Sequence, residues 1–187
     1  MKIKKAFDLC KRSGEITTYI VDDEQWLSSG TAAWPLSGVP ELSEEYICQL
    51  YDIDDNKREK IVFRICNEAP ERIDFRDAVT HELPAQPLDI NVVITGQGEC
   101  IPMIWEGGLI LINREYLKPL SDLQEEDISY WIRFLDDGDE LLAKDNKSIY
   151  VAVKVGLLIY AIIMPVSPSD SFFESVQSMY TAAKATV

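Results

Sequence analysis

The stretch SIYVAVKVGLLIYAIIM, residues 148–164, is the most apolar part of the sequence and decides the fold class. Most of its residues are β-branched, aromatic or otherwise apolar, and they lie on both sides of Gly156. The pattern therefore predicts two strands joined by a tight turn. Since its second half is only about half the roughly 20 residues that a helix needs to cross a bilayer, we expect buried strands and no membrane span.

Strand patterns recur on either side of this hairpin. We predict strands over residues 16–21, 25–34 with a bend at Gly30, 60–66, 89–95, 101–105, 109–112 and 128–135. Apolar residues at helical spacing predict helices over residues 2–12, 40–50, 116–123 and 171–183, and Pro119 should kink or split the third. The sequence therefore predicts the α+β class.

Residues 67–88 contain three prolines and little periodicity, which predicts a connection between two halves. The predicted organisation is a single α+β domain over residues 1–187, with a first half over 1–66 and a second half over 89–166. Residues 167–187 should form a C-terminal amphipathic helix, because Ser171 and Glu174 fit a capping box.

The overall charge and the spacing of the cysteines argue against several classes of function and kinds of site. A net charge of −14 disfavours broad, non-specific attraction to nucleic acid. The four cysteines form no CxxC pair, so we interpret them as buried reduced thiols and expect neither a zinc site nor a disulfide framework. The charged N-terminal residues lack the apolar stretch of a signal peptide, and we expect a cytoplasmic protein.

The sequence contains no recognisable catalytic, cofactor-binding or metal-binding motif. His81 is the only histidine, which excludes a multi-histidine metal site. The acidic run that begins at Asp52 has Lys57 and Phe63 where a calcium loop requires glycine and glutamate. We therefore expect a non-enzymatic protein with no cofactor and no metal. An enzyme that uses scattered carboxylates stays open as an alternative.

Five cations within the first twelve residues contrast with the acidic average and form the candidate contact site. They are Lys2, Lys4, Lys5, Lys11 and Arg12, and Asp8 is the only carboxylate among them. Three interpretations stay open: a solvated helix face, a contact to a phosphate backbone, or a contact to an acidic protein. Four tryptophans could stack on bases, but their positions in strands favour core packing.

The second half resembles the final repeat of bacterial sliding DNA clamps. The residues that carry the resemblance are LINREYLKPL at 111–120, the strand at 129–134 and YAIIMPV at 160–166. The first helix and its following strands look like a degenerate copy of the same unit. The resemblance implies two half-repeats, each with a helix packed on antiparallel strands, and it places the basic first helix on a DNA-facing side. A ring would require several copies of so short a chain.

The first half resembles uncharacterised proteins that prophages and mobile elements of Firmicutes encode. The similar residues are QWLS at 25–28, Gly30, PL at 35–36 and GVPE at 38–41. The leading hypothesis is a prophage-derived binding module that contacts DNA or an acidic protein through the basic first helix. The alternative hypothesis is an oligomeric structural or assembly protein of a phage or mobile element.

Overall fold

The computed structural model describes residues 1–135 and 149–166. Residues 149–163 form the antiparallel hairpin that their apolar pattern predicts. The strands are β1 (Glu15–Val21), β2 (Glu24–Ser28), β3 (Ala32–Pro35), β4 (Val62–Cys66), β5 (Leu83–Pro87), β6 (Val92–Ile94), β7 (Gly98–Trp105), β8 (Gly108–Asn113), β9 (Ile128–Phe134), β10 (Ile149–Val155) and β11 (Leu158–Ile163). The α-helices are α1 (Ile3–Ser13), α2 (Glu44–Leu50) and α3 (Asp55–Arg58), and two 3-10 helices are η1 (Arg114–Leu120) and η2 (Glu125–Asp127). The fold is mixed α and β, and the sheet dominates it.

The described strands form one sheet in the order β4-β1-β2-β3-β11-β10-β9-β5-β7-β6, with β8 also paired to β7. Among the described strands, only β1 and β4 pair in parallel. The centre of the sheet consists of two three-stranded meanders, β1-β2-β3 and β9-β10-β11, which meet where β3 pairs with β11. Going outward from this junction, one meander continues as β3, β2, β1 and the other as β11, β10, β9. Both meanders therefore have their last strand at the junction and their first strand farthest from it.

Each meander follows a helical element, and these two elements contact each other. The helix α1 precedes β1, and η1 precedes η2 and β9. They pack side by side, and the Lys2 N–H donates to the Pro119 carbonyl at 2.7 Å. The basic first helix is thereby attached to a segment from the second half of the chain.

The two faces of the sheet carry separate hydrophobic cores, because neighbouring strand residues point to opposite faces. The first core contains Phe7 of α1 together with Trp34 of β3. The second core contains Trp26 of β2, Tyr150 of β10 and Phe75. Phe75 belongs to residues 67–82, which we call the strap, and its ring meets that of Trp26 edge-on at 4.7 Å. The helices therefore cover one face and the strap covers the other.

Three predicted elements differ in the structure. Residues 25–34, predicted as one bent strand, form the antiparallel pair β2 and β3, because the chain reverses at Gly30, where φ is 84°. The predicted connection over 67–88 ends in the strand β5, which pairs with both β9 and β7. The predicted helix over 116–123 is the 3-10 helix η1, which contains Pro119.

The short helix α3 was not predicted; Asp54 caps it by accepting a hydrogen bond from the Lys57 N–H at 2.9 Å. The sequence Gly96-Gln97-Gly98 predicts a hairpin turn, and it lies at the turn between the paired strands β6 and β7; this turn and the hairpin about Gly156 are confirmed. The run Asp-Asp-Gly-Asp at 136–139 predicts a tight turn, and both these residues and the predicted C-terminal helix over 167–187 lie outside the described residues.

Candidate anion-binding surface of the first helix

The helix α1 is amphipathic and presents its cations away from the sheet. Its buried residues are Ala6, Phe7, Leu9 and Cys10, which recur at helical spacing and pack on the first core. Gly14 ends the helix in the left-handed conformation at φ 75°. Among the predicted contact residues, Lys2, Lys4 and Arg12 are exposed, and Lys5 and Lys11 are half-buried. The five cations therefore lie along one helix but have different surroundings.

At the start of α1, two ammonium groups converge on one hydroxyl. Lys2 Nζ and Lys5 Nζ donate to Ser121 Oγ at 3.2 and 2.9 Å. Within the described residues, neither ammonium has a carboxylate at ion-pair distance. The nearby Asp122 is occupied by the Met1 ammonium at 3.1 Å, and this contact lowers the pKa of Asp122. Two like charges held beside a neutral oxygen favour the approach of an anion.

Lys4 is exposed and makes no hydrogen bond or ion pair with any described residue. It lies between Lys2 and Lys5 in sequence, on the same first turns of α1. None of the three cations at the start of the helix forms an ion pair with a described carboxylate, although Lys2 is close enough to Asp122 to contribute to the lowering of its pKa.

At the end of α1, carboxylates neutralise the cations. Glu115 of η1 contacts Arg12 NH2 at 2.5 Å through one oxygen and Lys118 Nζ through the other. Hydrogen bonds from Lys118 and then Arg12 lower the pKa of Glu115. Lys11 Nζ lies 3.0 Å from Asp8 and also sits over the Tyr51 ring. This end therefore presents less free charge than the start.

Together these residues form a basic surface on an acidic chain. We define the basic surface as Lys2, Lys4, Lys5, Lys11, Arg12 and Lys118. Six cationic side chains here face three carboxylates, Asp8, Glu115 and Asp122, so the side chains of the region keep a charge of three positive. The complete chain carries −14. The basic surface is thus a local reversal of sign.

The sequence does not indicate the residues that η1 and its C-cap Ser121 contribute to this surface. Ser121 is separated from Lys2 and Lys5 by 119 and 116 positions, and no local pattern links them. Glu115 and Lys118 appear in the sequence as ordinary charged residues. Only the packing of α1 against η1 brings them to the predicted cations.

A second polar region lies under the strap, where a cavity of about 650 Å³ opens between strap residues and the ends of β9 and β10. Arg133 in its wall is 1% exposed. Its guanidinium donates to Glu82 Oε2 from Nε and NH2, and to the carbonyls of Asp74, Arg76 and Asp77. Since all five N–H donors have acceptors, Arg133 fastens the strap and has no donor left for a ligand.

Lys154 completes this buried network. Its ammonium donates to Glu82 Oε1 and lies 5.3 Å from the centre of the Trp131 ring. The residue is 4% exposed, so Glu82 balances two buried cations. The arrangement is that of a structural ion network.

The remaining sequence candidates are not assembled into a site in the described ranges. His81 is exposed at the rim of the strap cavity. No group of three or more His, Cys, Asp or Glu side chains in residues 1–135 and 149–166 could hold a metal ion. Trp26, Trp34 and Trp105 are buried, as their strand positions predicted, and cannot stack on bases.

Comparisons with known proteins do not assign a family. No family model, no curated protein and no solved structure matches the chain. Across the part of the chain that the structure describes, no helix has both the length and the apolar character needed to cross a membrane.

Proposed function

We propose that the chain is a non-enzymatic binding module that contacts the phosphate backbone of DNA through the basic surface. The observation that carries the proposal is the convergence of Lys2 and Lys5 on the Ser121 hydroxyl, beside the unpaired Lys4. A phosphate oxygen would accept from these ammonium groups and relieve their mutual repulsion. The contacts would release counterions from DNA, which favours binding at low salt.

The chemistry of the surface favours backbone contact over the reading of bases. The free donors are lysines, which act as point charges on flexible stems. Three of the four tryptophans are buried in the cores, so they offer no stacking surface for unpaired bases. The acidic remainder of the molecule would repel DNA elsewhere and orient the basic surface towards it. Binding should therefore be weak, oriented and independent of sequence.

The proposal includes the clamp-like arrangement of two half-repeats and a prophage origin. The half-repeats are supported by the two meanders, β1-β2-β3 and β9-β10-β11, whose strand orders are reversed about the β3 and β11 junction. They are also supported by α1 and η1, which precede these meanders and pack together. The prophage origin rests on the sequence resemblance of residues 25–41.

The direct test is a titration of fluorescent duplex DNA across a salt series, with the wild type and the Lys4→Glu variant. With three free cations, the slope of log affinity against log salt should be about −3, and Lys4→Glu should reduce it by about one. At about 50 mM salt the variant should bind roughly five- to tenfold more weakly. Lys4 is exposed and its side chain forms no hydrogen bond or ion pair with a described residue, so its replacement should leave the fold intact.

Lys60→Glu is the matched control, because Lys60 is also an exposed lysine whose side chain forms no hydrogen bond or ion pair with a described residue, lies outside the basic surface and undergoes the same charge change. It should bind DNA nearly as the wild type does. Equal loss in both variants, or no wild-type binding at low salt, would rule out the proposed contact. Binding of poly-glutamate without binding of DNA would favour an acidic protein partner instead.

A second candidate function is oligomeric assembly, which the exposed edge of the sheet favours. β4 ends the sheet, and its residues Val62 and Ile65 are about half exposed. An edge strand with apolar side chains can pair with another chain. Light scattering over a range of concentrations tests this function, and a monomer at every concentration would exclude it.

A further inference from the structure

Glu115 holds two cations of the basic surface at once. Its side chain projects from η1, one oxygen towards Arg12 and the other towards Lys118. Asn113 Oδ1 accepts a hydrogen bond from the Glu115 N–H at 2.8 Å, which fixes the start of η1 and hence the position of this carboxylate. One carboxylate therefore withdraws two of the six cations from the surface.

The ion pairs of Glu115 with Arg12 and Lys118 are exposed to solvent, so another anion can replace the carboxylate. Arg12 and Lys118 are both more than half exposed, and Glu115 is about one-third exposed. Ion pairs in such surroundings contribute little net free energy and weaken with salt. A phosphate group offers the same cations a comparable set of acceptor oxygens, so it can replace the carboxylate.

We propose that Glu115 is an internal competitor for phosphate, which holds Arg12 and Lys118 in reserve and limits the affinity of the basic surface for DNA. This inference rests on the proposed function. Lys2, Lys4 and Lys5 engage the backbone first. Arg12 and Lys118 join only when they leave Glu115, so the tighter contact that uses all five cations forms only on DNA that reaches both ends of α1.

The test is the Glu115→Gln variant in the same DNA titration. Glutamine keeps the length of the side chain, and the backbone contact to Asn113 does not depend on the charge. With two more cations available, the salt slope should become steeper by about two. The affinity at about 50 mM salt should rise roughly tenfold. Equal melting temperatures of the variant and the wild type would show that the fold is kept.

Glu68→Gln is the control for net charge, because Glu68 is an exposed strap residue away from the helical face. It removes one negative charge without releasing a cation, and its salt slope should equal that of the wild type. If the wild type binds DNA and Lys4→Glu weakens it, but Glu115→Gln behaves as Glu68→Gln does, the role of Glu115 is refuted and the proposed function stands. If neither the wild type nor Glu115→Gln binds, both fail. Binding by Glu115→Gln but not by the wild type would refute the proposed function, and with it the role of Glu115 as a limit on wild-type binding.

Discussion

Single side chains from distant parts of the sequence set the chemistry of both polar regions. The five cations of the first helix could be predicted from sequence, since they are concentrated within twelve residues. Their partners Ser121 and Glu115 could not, because hydrogen bonds and ion pairs between distant residues leave no local pattern. The same holds for Arg133, which the sequence shows only as one charge in an apolar strand.

At the residue scale, the Arg133 network predicts a large loss of stability on a conservative change. Arg133→Lys keeps the charge but has too few donors for Glu82 and three carbonyls, which would leave buried acceptors unpaired. We expect the free energy of unfolding in urea to fall by about 2 to 4 kcal/mol. Arg64→Lys, at the exposed pair with Glu15, should change it by less than about 0.5 kcal/mol. Similar small losses in both variants would contradict this account of the strap.

A second prediction at this scale concerns the cysteines. All four are free, but only Cys10 and Cys100 are buried, whereas Cys48 and Cys66 are half-buried, so the prediction of four buried thiols is wrong in part. Burial raises the pKa of Cys10 to about 12. Because the thiolate is the reactive form, iodoacetamide at about pH 8 should label Cys66 in the native protein and leave Cys10 unmodified.

Mass spectrometry of the labelled peptides measures how far each cysteine has reacted. In the control, the protein is unfolded in concentrated urea, and all four cysteines should react. Labelling of native Cys10 as fast as Cys66 would mean that α1 does not pack on the sheet as described.

At the scale of the element, helices and hairpins that follow from the pattern of neighbouring residues were predictable. Strands that depend on pairing with distant parts of the chain were not. The helix α1 and the hairpin about Gly156 follow from their periodicity and are present. The strand β5 was hidden because it contains Pro84 and Pro87, which lack the N–H of a ladder. Pro84 lies in the short pairing with β9, and Pro87 lies in the short pairing with β7. Because each pairing covers only two or three residues, one missing N–H in each does not prevent the strand from forming. Only the completed sheet supplies those neighbours.

The turn between β7 and β8 gives a prediction at this scale. A Cβ atom on Gly107 would lie 2.1 Å from the Trp105 ring, so Gly107→Ala must displace a large side chain that is 7% exposed. We expect a loss of about 2 to 3 kcal/mol in the free energy of unfolding. Gly108→Ala separates this clash from backbone strain, because Gly108 has φ 133° but open space for a Cβ. If Gly107→Ala changes the free energy of unfolding by less than about 0.5 kcal/mol, the close approach of Trp105 is not what requires glycine at 107.

At the scale of the whole molecule, the mixed α and β class was predictable and the strand order was not. Alternating patterns predict strands, but they do not specify which strands become neighbours. The junction of β3 with β11 unites residues from opposite ends of the chain, and it places α1 beside η1 on one face. This topology completes the basic surface, because it brings Lys118, Ser121 and Glu115 to the cations of α1. An acidic chain thereby carries a local site of opposite charge, which supports oriented contact with an anionic polymer.

The most direct test of this central claim is a lysine-reactivity footprint of the protein with and without duplex DNA at low salt. Acetylation followed by mass spectrometry should show Lys2, Lys4 and Lys5 protected by DNA, whereas Lys57 and Lys60, which lie outside the basic surface, should react unchanged. Protection should disappear as salt is raised, because the contacts are electrostatic. Unchanged reactivity of Lys2, Lys4 and Lys5 at saturating DNA, or equal protection of Lys57 and Lys60, would contradict the account.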